Sequence, residues 1–297
     1  MRILVTGGNG QVGYELRRVL APLGEVIAPG RDRCDMASAD SVRACIREIK
    51  PGLIVNAAAY TAVDKAEQEP DLAMAVNGIA PGVMAEEANS LGAALIHYST
   101  DYVFDGSKGD GSKGAPYVED DAVCPINVYG ETKWAGEEAV RNVAKRYLIL
   151  RTSWVYGVRG HNFLLTIRRL AKERQELNIV ADQFGSPTWS RLIAETTGLI
   201  IAHSAGHQGE LLADCAGTYH LTSSGQTSWH GFARALLELD PDKSSHQLET
   251  LGAINTEQYP TPAQRPKYSV LNNGKLARQF GLRMPDWHDC LELASAG

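Results

Sequence analysis

The sequence predicts a doubly wound parallel α/β fold, and three observations support this prediction. Short segments that are apolar throughout alternate with amphipathic helical segments over residues 1–151. The apolar segments lack polar alternation, which is typical of strands buried on both faces of a parallel sheet. Repeated strand–helix–strand units connect such strands with one hand, so that helices cover both faces. A second, smaller part of mixed α/β structure follows, because the alternation becomes less regular after residue 157.

The first half contains five predicted strands and four predicted helices. The strands are predicted over residues 2–5, 25–28, 53–57, 94–98 and 147–151, and the helices over residues 11–20, 38–49, 70–91 and 129–143. Ser38 is the expected N-cap of the second helix, because its hydroxyl can accept from a free amide of the first turn. His97 falls in a buried strand and is interpreted as a core histidine.

The second half predicts helices over 162–176, 190–203 and 228–239 and strands over 177–180 and 218–221. The proline-rich stretch 259–266 cannot form a regular helix, and segment 106–114 is expected to be a mobile, glycine-rich loop. Residues 1–157 are predicted to form the larger domain, with returning segments at about 188–222. Residues 158–187 and 223–297 are predicted to form the smaller one.

Composition excludes several classes of protein. The net charge is -6 and no basic tail is present, so neither nucleic acid nor an anionic membrane is an expected partner. The five cysteines are odd in number and form no Cys-x-x-Cys pair, which argues against a disulfide framework or zinc site and favours a reducing cytoplasm. The sequence carries no signal-peptide pattern.

A glycine cluster separates the first predicted strand from the first predicted helix. Gly7, Gly10 and Gly13 permit a tight turn and a close backbone approach, while Gln11 and Val12 open the helix. Unpaired N–H groups at a helix N-terminus attract the charge of a pyrophosphate. The cluster therefore predicts a Rossmann-like dinucleotide site.

The end of the second strand indicates which dinucleotide binds. No acid stands there, whereas Arg31 and Arg33 follow at once, which favours the 2′-phosphate of NADPH. NADH stays open, because either arginine can be a solvated loop charge. Asp35 and Met36 are expected to flank the adenine. Residues at the ends of later strands complete the predicted cofactor site: Ala59, Tyr60, Thr61 and Tyr98.

Tyr129 and Lys133 form the predicted catalytic pair. Their spacing of four places them on one helix face, where an ammonium near the phenol lowers the phenol's pKa. The phenol can then act as a general acid when a carbonyl is reduced. Thr100 follows the fourth strand, at the carboxyl edge where such sheets bind ligands, and its hydroxyl can bond the substrate carbonyl.

Four longer motifs narrow this class. They are NAAAYTAVDKAE at 56–67, STDYVF at 99–104, RTSWVY at 151–156 and YPTPAQRP at 259–266. With the glycine cluster and the Tyr129–Lys133 pair, they resemble the dTDP-4-dehydrorhamnose reductase family of the extended short-chain dehydrogenase/reductase superfamily. The resemblance runs from the first strand to about Trp287.

The resemblance implies reduction of the 4-keto group of dTDP-4-dehydro-6-deoxy-L-mannose with NADPH, giving dTDP-L-rhamnose for a bacterial cell-surface polysaccharide such as lipopolysaccharide. Tyr129 would donate the proton, Lys133 would hold the nicotinamide ribose, and Thr100 would bond the carbonyl oxygen. The residues implied to line the sugar pocket are Asp101, Trp154 and Asn162. Packing remains an alternative for Trp154. Arg265 is expected either to clamp the diphosphate or to form a structural salt bridge.

One departure from the family pattern concerns a metal. Some members are dimers bridged by a metal on glutamates, and Glu15 is present here. Arg191, however, occupies the position where a second glutamate would be needed. We therefore expect no metal, and a monomer or a weak homodimer.

Two other functions remain open. One is a non-catalytic nucleotide-binding subunit, because the regulatory subunit of methionine adenosyltransferase resembles these reductases. The intact Tyr129, Lys133 and Thr100 argue against that interpretation. A nucleotide-sugar epimerase or dehydratase shares the superfamily. A dehydratase would place an acidic pair beside Thr100, whereas Asp101 is followed by Tyr102, which favours simple reduction.

Overall fold

The computed structural model describes residues 1–110, 113–205 and 211–296. Its centre is a six-stranded parallel sheet, which confirms the predicted fold class. The strands in chain order are β1 (Arg2–Thr6), β2 (Glu25–Ile27), β3 (Leu53–Asn56), β4 (Ala94–Thr100), β5 (Tyr147–Thr152) and β6 (Gly217–His220). Their order across the sheet is β6-β5-β4-β3-β1-β2. The strand order therefore reverses between β1 and β3: β2 lies on one side of β1, and β3 to β6 lie on the other. Open parallel sheets bind ligands at such a reversal.

Helices cover both faces of this sheet. The helices in chain order are α1 (Gln11–Val19), α2 (Ala39–Ile49), α3 (Val63–Ala66), α4 (Pro70–Met74), α5 (Ala80–Leu91), α6 (Val128–Val143), α7 (Phe163–Glu173), α8 (Ser190–Ala205), α9 (Trp229–Glu238), α10 (Gly274–Phe280) and α11 (Trp287–Ala296). Of these, α1, α8 and α10 lie on one face and α2, α5 and α6 on the other, while α7, α9 and α11 pack together in a separate apolar cluster. Successive residues of β1 face opposite sides: Ile3 lies in the apolar cluster with α1 and α8, and Leu4 in the cluster with α2 and α5. This alternation of buried faces explains why the strands are apolar throughout.

Helix boundaries follow local chemistry. Ser38 caps α2, accepting from the Ser41 amide at 3.3 Å, as predicted. The predicted helix over 70–91 is interrupted, because Ala75–Ile79 between α4 and α5 forms a turn of π-helix. Such turns often occur at functional sites, and this one contains the buried Asn77.

Small two-stranded pieces accompany the helices of the second half. Glu176–Val180 pairs in parallel with Thr250–Ile254, a strand that the sequence prediction missed. Phe184–Gly185 pairs with Thr227–Ser228, and Val155–Tyr156 with Thr188–Trp189. The helix predicted over 162–176 ends at Glu173, and residues 259–266 contain no regular helix, as expected. The domain boundaries remain a prediction.

The loop predicted over 106–114 is partly wrong. Gly109–Asp110 and Lys113–Gly114 pair as a short antiparallel ladder, and both glycines lie against the Tyr268 ring. Residues 111–112 of this segment lie outside the described residues. Within the described ranges, no helix has both the length and the apolar character needed to cross a membrane.

Candidate active site

The glycine cluster forms a tight turn at the reversal between β1 and β3. Gly7 has φ +66°, and a Cβ there would lie 2.7 Å from the carbonyl oxygen of Ala57. A Cβ on Gly13 would overlap the carbonyl oxygen of Gly7, so α1 packs on the turn only because Gly13 has no side chain. Gly10 is the N-cap of α1 and leaves its first turn without a side-chain cap. This geometry fits a pyrophosphate bound to free amides.

The two arginines after β2 differ in their surroundings. Arg33 pairs with Glu48 at 2.8 Å, whereas Arg31 makes only a 3.3 Å contact with Asp35 and is 77% exposed. Arg31 is therefore the freer of the two to meet a phosphate. Asp35 also accepts from the Ala37 amide at 3.1 Å, and Met36 packs partly buried against the α2 cluster.

Asn77 fixes the segment that follows β3. Its amide exchanges two hydrogen bonds with the Tyr60 backbone, at 2.9 and 3.0 Å, and donates to Thr132 on α6 at 3.2 Å. The Tyr60 hydroxyl donates to Glu69 at 2.6 Å. The segment with Ala59 and Thr61 is thereby held beside α6, the helix that carries Tyr129 and Lys133. Sequence reasoning missed Asn77, although an asparagine within an apolar helix was an available signal.

Tyr129 and Lys133 lie on successive turns of α6, as their spacing predicts. Asn127 caps this helix by accepting from the Gly130 amide at 2.8 Å. Burial raises the pKa of Tyr129 to about 12, and a hydrogen bond with Thr100 opposes that rise. The expectation that Lys133 lowers this pKa is wrong for the cofactor-free protein. Tyr129 is therefore held as a neutral phenol, the form that can donate a proton.

Lys133 is almost fully buried, at 2% exposure. Its Nζ donates to the Tyr98 carbonyl at 2.6 Å and lies 3.4 Å from Nε2 of His97. Burial lowers the pKa of Lys133 to about 8, against the opposing charge of Glu137. Tyr98, predicted to contact the cofactor, thus binds the lysine through its carbonyl, while its hydroxyl bonds Thr197 at 2.7 Å.

A buried ion network lies behind Tyr129 and Lys133. Glu137, on α6 and fully buried, accepts from Ser99 of β4 at 2.6 Å. Arg151 of β5 donates to both of its carboxylate oxygens, at 2.9 and 2.8 Å, and Arg141 adds a further ion pair. The network joins α6 to β4, which carries Thr100, and to β5. It thereby sets the position of Tyr129.

Asp101 places an oxygen without a partner next to Thr100. Its Oδ1 accepts from Thr100 at 3.1 Å, but its buried Oδ2 has no hydrogen-bond partner within the protein. Burial raises the pKa of Asp101 to about 7, against the opposing influence of the nearby Ser269 and Thr100 hydroxyls. A buried polar atom without a partner is destabilising unless a ligand or water satisfies it.

Trp154 is held in an uncommon conformation. Its φ is +45°, and its ring stacks on Trp229 with 3.6 Å between centroids and 7° between planes. Gly185 allows this position, since a Cβ there would lie 2.5 Å from the indole of Trp154. One face of the indole is therefore used in packing. A backbone outlier held by its surroundings is common at binding sites.

Asn162 and Arg265 make contacts within the protein. Asn162 caps α7 and donates to Gln11 at 2.9 Å, which ties α7 to the glycine turn. Arg265 forms a bidentate pair with Asp64, at 2.9 and 2.7 Å. Of the two interpretations of Arg265, the structure contains the salt bridge.

The residues that bear on a metal are already paired. Glu15 lies 3.1 Å from Arg18, and Arg191 lies 2.8 Å from Glu195, four residues further along α8. The described parts of the chain contain no group of three histidine, cysteine or acidic residues suited to hold a metal ion.

Comparisons with known proteins agree with this geometry. The family described as RmlD substrate binding domain matches residues 1–296. A dTDP-4-dehydrorhamnose reductase of Burkholderia thailandensis is 48% identical, covering 97% of this chain and 95% of that protein. The structure of a dTDP-4-dehydrorhamnose reductase from Clostridium acetobutylicum superposes with a TM-score of 0.88 at 37% identity, covering 99% and 98% of the chains. That of the Bacillus anthracis enzyme in complex with NADP gives 0.87 at 36%, with the same coverage.

Proposed function

Because the chain belongs to the RmlD substrate binding domain family, we propose that it reduces the 4-keto group of dTDP-4-dehydro-6-deoxy-L-mannose with NADPH, giving dTDP-L-rhamnose. The observation that carries this proposal is the position of Tyr129. Its neutral phenol lies beside Thr100 and one helical turn from Lys133, near the carboxyl edge of the sheet that holds the glycine turn. Relatives that share nearly the whole chain are dTDP-4-dehydrorhamnose reductases.

NADPH supplies a hydride to C4 of the sugar, and the side chains described above do the remaining work. Tyr129 gives its phenolic proton to the oxygen at C4, so the ketone becomes an alcohol and the tyrosine a phenolate. Thr100 turns its hydroxyl hydrogen from Asp101 to the same oxygen and holds the carbonyl in place. Lys133 binds the ribose hydroxyls and, when protonated, stabilises the phenolate. The tyrosine then recovers a proton from solvent.

The sugar is held on the opposite side of the crevice. Asp101 offers its free Oδ2 to a sugar hydroxyl, which satisfies the buried oxygen. Trp154 presents the indole face that does not contact Trp229. Asn162 and Arg265 shape the pocket through their bonds with Gln11 and Asp64. The exposed guanidinium of Arg31 takes the 2′-phosphate of the cofactor, while Asp35 and Met36 lie next to the adenine.

The decisive experiment follows NADPH oxidation with a panel of dTDP-linked and other nucleotide-linked 4-keto sugars. Turnover is expected to be fastest with the dTDP-linked 6-deoxy sugar. The Tyr129→Phe substitution removes the proton donor and is expected to lower kcat by about 10²–10⁴-fold, while the Kd for NADPH stays the same. The exposed Tyr14→Phe serves as the matched control. A Tyr129→Phe enzyme with the parent rate would contradict the proposal, as would a parent enzyme that binds NADPH but reduces none of the sugars.

A further inference from the structure

A row of hydrogen bonds crosses the sheet and ends at the catalytic lysine. Thr6, Asn56 and His97 occupy the same level of β1, β3 and β4. Their side chains face one way and form a chain of contacts: Thr6 Oγ1 to Asn56 Oδ1 at 2.7 Å, and Asn56 Nδ2 to His97 Nδ1 at 3.0 Å. Nε2 of the same imidazole lies 3.4 Å from Nζ of Lys133. Asn56 and His97 are fully buried.

The orientation of the Asn56 amide is fixed by the backbone. The N–H of Ala58 donates to Asn56 Oδ1 at 3.2 Å, and a backbone N–H can only donate. The atom it meets must therefore be the amide oxygen, so the NH₂ group points at His97. Nδ1 of His97 then accepts this hydrogen bond and carries no proton. A neutral imidazole in this position has its proton on Nε2.

The proton on Nε2 faces Lys133. An ammonium has three N–H donors and no acceptor, so a protonated Lys133 would set donor against donor. A neutral amine has a lone pair that can accept from Nε2, while its own N–H still donates to the Tyr98 carbonyl at 2.6 Å. The row of side chains therefore favours the amine.

The other titratable and charged groups around Lys133 lie on α6 and on the strands behind it. Tyr129 is on the preceding turn. Glu137 is on the following turn, where it is bonded to Ser99 of β4 and paired with Arg141 and with Arg151 of β5. These two ion pairs offset the negative charge of Glu137, so the carboxylate stabilises an ammonium at Lys133 less.

We propose that His97 is a positioning residue for the catalytic lysine: held in its Nε2–H form by Asn56, it donates to Lys133 and favours the amine form of that side chain. The inference rests on the proposed function and deepens it. An ammonium next to Tyr129 would favour the phenolate, which has no proton to give. A larger amine fraction at Lys133 adds to the effect of burial, which already keeps the phenol in the protonated form that can donate. Burial also lowers the pKa of Lys133 to about 8.

The test measures the two side chains directly in the cofactor-free protein. With ¹⁵N-labelled histidine, the His97 signals are identified by their loss in His97→Leu. We expect Nε2 to carry the proton and Nδ1 to be unprotonated. With lysine labelled at ¹³Cε, the Lys133 signal is identified by its loss in Lys133→Met, and it should titrate well below an ordinary lysine. A proton on Nδ1, or an ordinary lysine titration, would overturn the inference.

Asn56→Asp reverses the hydrogen bond and provides the perturbation. A carboxylate at position 56 accepts from Nδ1–H, moves the proton off Nε2 and turns a lone pair toward Lys133. We expect the pKa of Lys133 to rise by about 1 unit or more. The double variant Asn56→Asp with His97→Leu keeps the added charge but lacks the imidazole, and its rise should be smaller. An equal rise in both variants would mean that the charge acts through space, and His97 would then have no positioning role.

These titrations need neither cofactor nor sugar, so they can fail while turnover is retained. Conversely, an enzyme that reduces no keto sugar would sink the proposed function and leave the titrations unchanged. Ile149→Val is the structural control, because Ile149 is the β5 neighbour of His97 and has no polar side-chain atom. It should leave the Lys133 titration where it is in the parent. A shift in this control equal to that of Asn56→Asp would show that general loosening of the core is the cause.

Discussion

The proposed cofactor side and the proposed substrate side of the crevice are held by different kinds of contact. The cofactor side consists of backbone in close approach at Gly7 and Gly13 and of a buried network around Glu137. The substrate side is joined through pairs of side chains from distant segments. Its main tie, Asp64 with Arg265, joins residues 201 positions apart, and the Asp64 side chain is 41% exposed.

This difference has consequences for both stability and binding. A buried charge or a backbone contact without space for a Cβ has no alternative arrangement, so its loss is felt by the whole fold. A partly exposed ion pair can be replaced by water at little cost. We therefore expect changes on the cofactor side to lower stability, and changes on the substrate side to alter the KM of the sugar nucleotide.

The largest effect is expected from Glu137→Leu. The substitution leaves the guanidinium of Arg151, which is 1% exposed, without its carboxylate. Breaking a buried ion pair in this way destabilises a protein by about 3–5 kcal/mol. Urea unfolding of the cofactor-free protein measures the change. Glu138→Gln, on the exposed face of the same helix, should stay within about 0.5 kcal/mol of the parent. A loss below 1 kcal/mol for Glu137→Leu would remove the contrast between the two sides.

The sequence predicts the glycine turn and the helix of Tyr129 and Lys133 well because their determinants are local. Gly7, Gly10 and Gly13 are close together in the sequence, and Tyr129 and Lys133 share one helix. Spacing alone therefore specifies how the residues of each set lie relative to one another. The apolar strands specify the sheet in the same way. The π-turn that holds Asn77 escaped prediction, since helical periodicity does not distinguish α from π hydrogen bonding over a single turn.

The substrate side depends on contacts that spacing cannot encode. The partner of Arg265 is Asp64, and that of Trp154 is Trp229, each far away along the chain. Burial is equally non-local: the four-residue spacing predicted a lowered pKa for Tyr129, but desolvation in the folded chain raises it. The contacts that decide these outcomes exist only after the sheet and the second half have packed together.

The next largest effect concerns Asp101, where the two sides meet. Burial raises the folded-state pKa of this carboxyl from 3.8 to about 7, so ionisation is easier in the unfolded chain. The free energy of unfolding should therefore fall as the pH rises from about 4 through 7, by roughly 3–4 kcal/mol from this group alone. Asp101→Asn should flatten that pH dependence, whatever its absolute stability. Unfolding curves at pH 5 and pH 8 give the change in the free energy of unfolding with pH for both proteins. An equal change in the two proteins would mean that the carboxyl is already ionised at pH 5.

Arg31→Ala sharpens the cofactor half of the comparison. Because Arg31 is largely exposed, its loss should leave stability unchanged and weaken only the bond to the 2′-phosphate. We expect kcat/KM for NADPH to fall about tenfold, or about 1.4 kcal/mol, while that for NADH stays constant. Arg33→Ala is the control, since Arg33 already pairs with Glu48. Equal losses with both cofactors would assign Arg31 a structural role instead.

The smallest effect on stability is expected from Asp64→Asn. An amide keeps one hydrogen bond to Arg265 but loses the charge, and a partly exposed pair contributes at most about 1 kcal/mol. The KM for the sugar nucleotide should rise several-fold, because the proline-rich loop loses a tie to α3, while the KM for NADPH stays the same. Lys65→Gln removes a neighbouring exposed pair with Glu69 and should change neither constant. If Asp64→Asn instead raised the KM for NADPH, the loop would belong to the cofactor side, and the two sides of the crevice would be mechanically one.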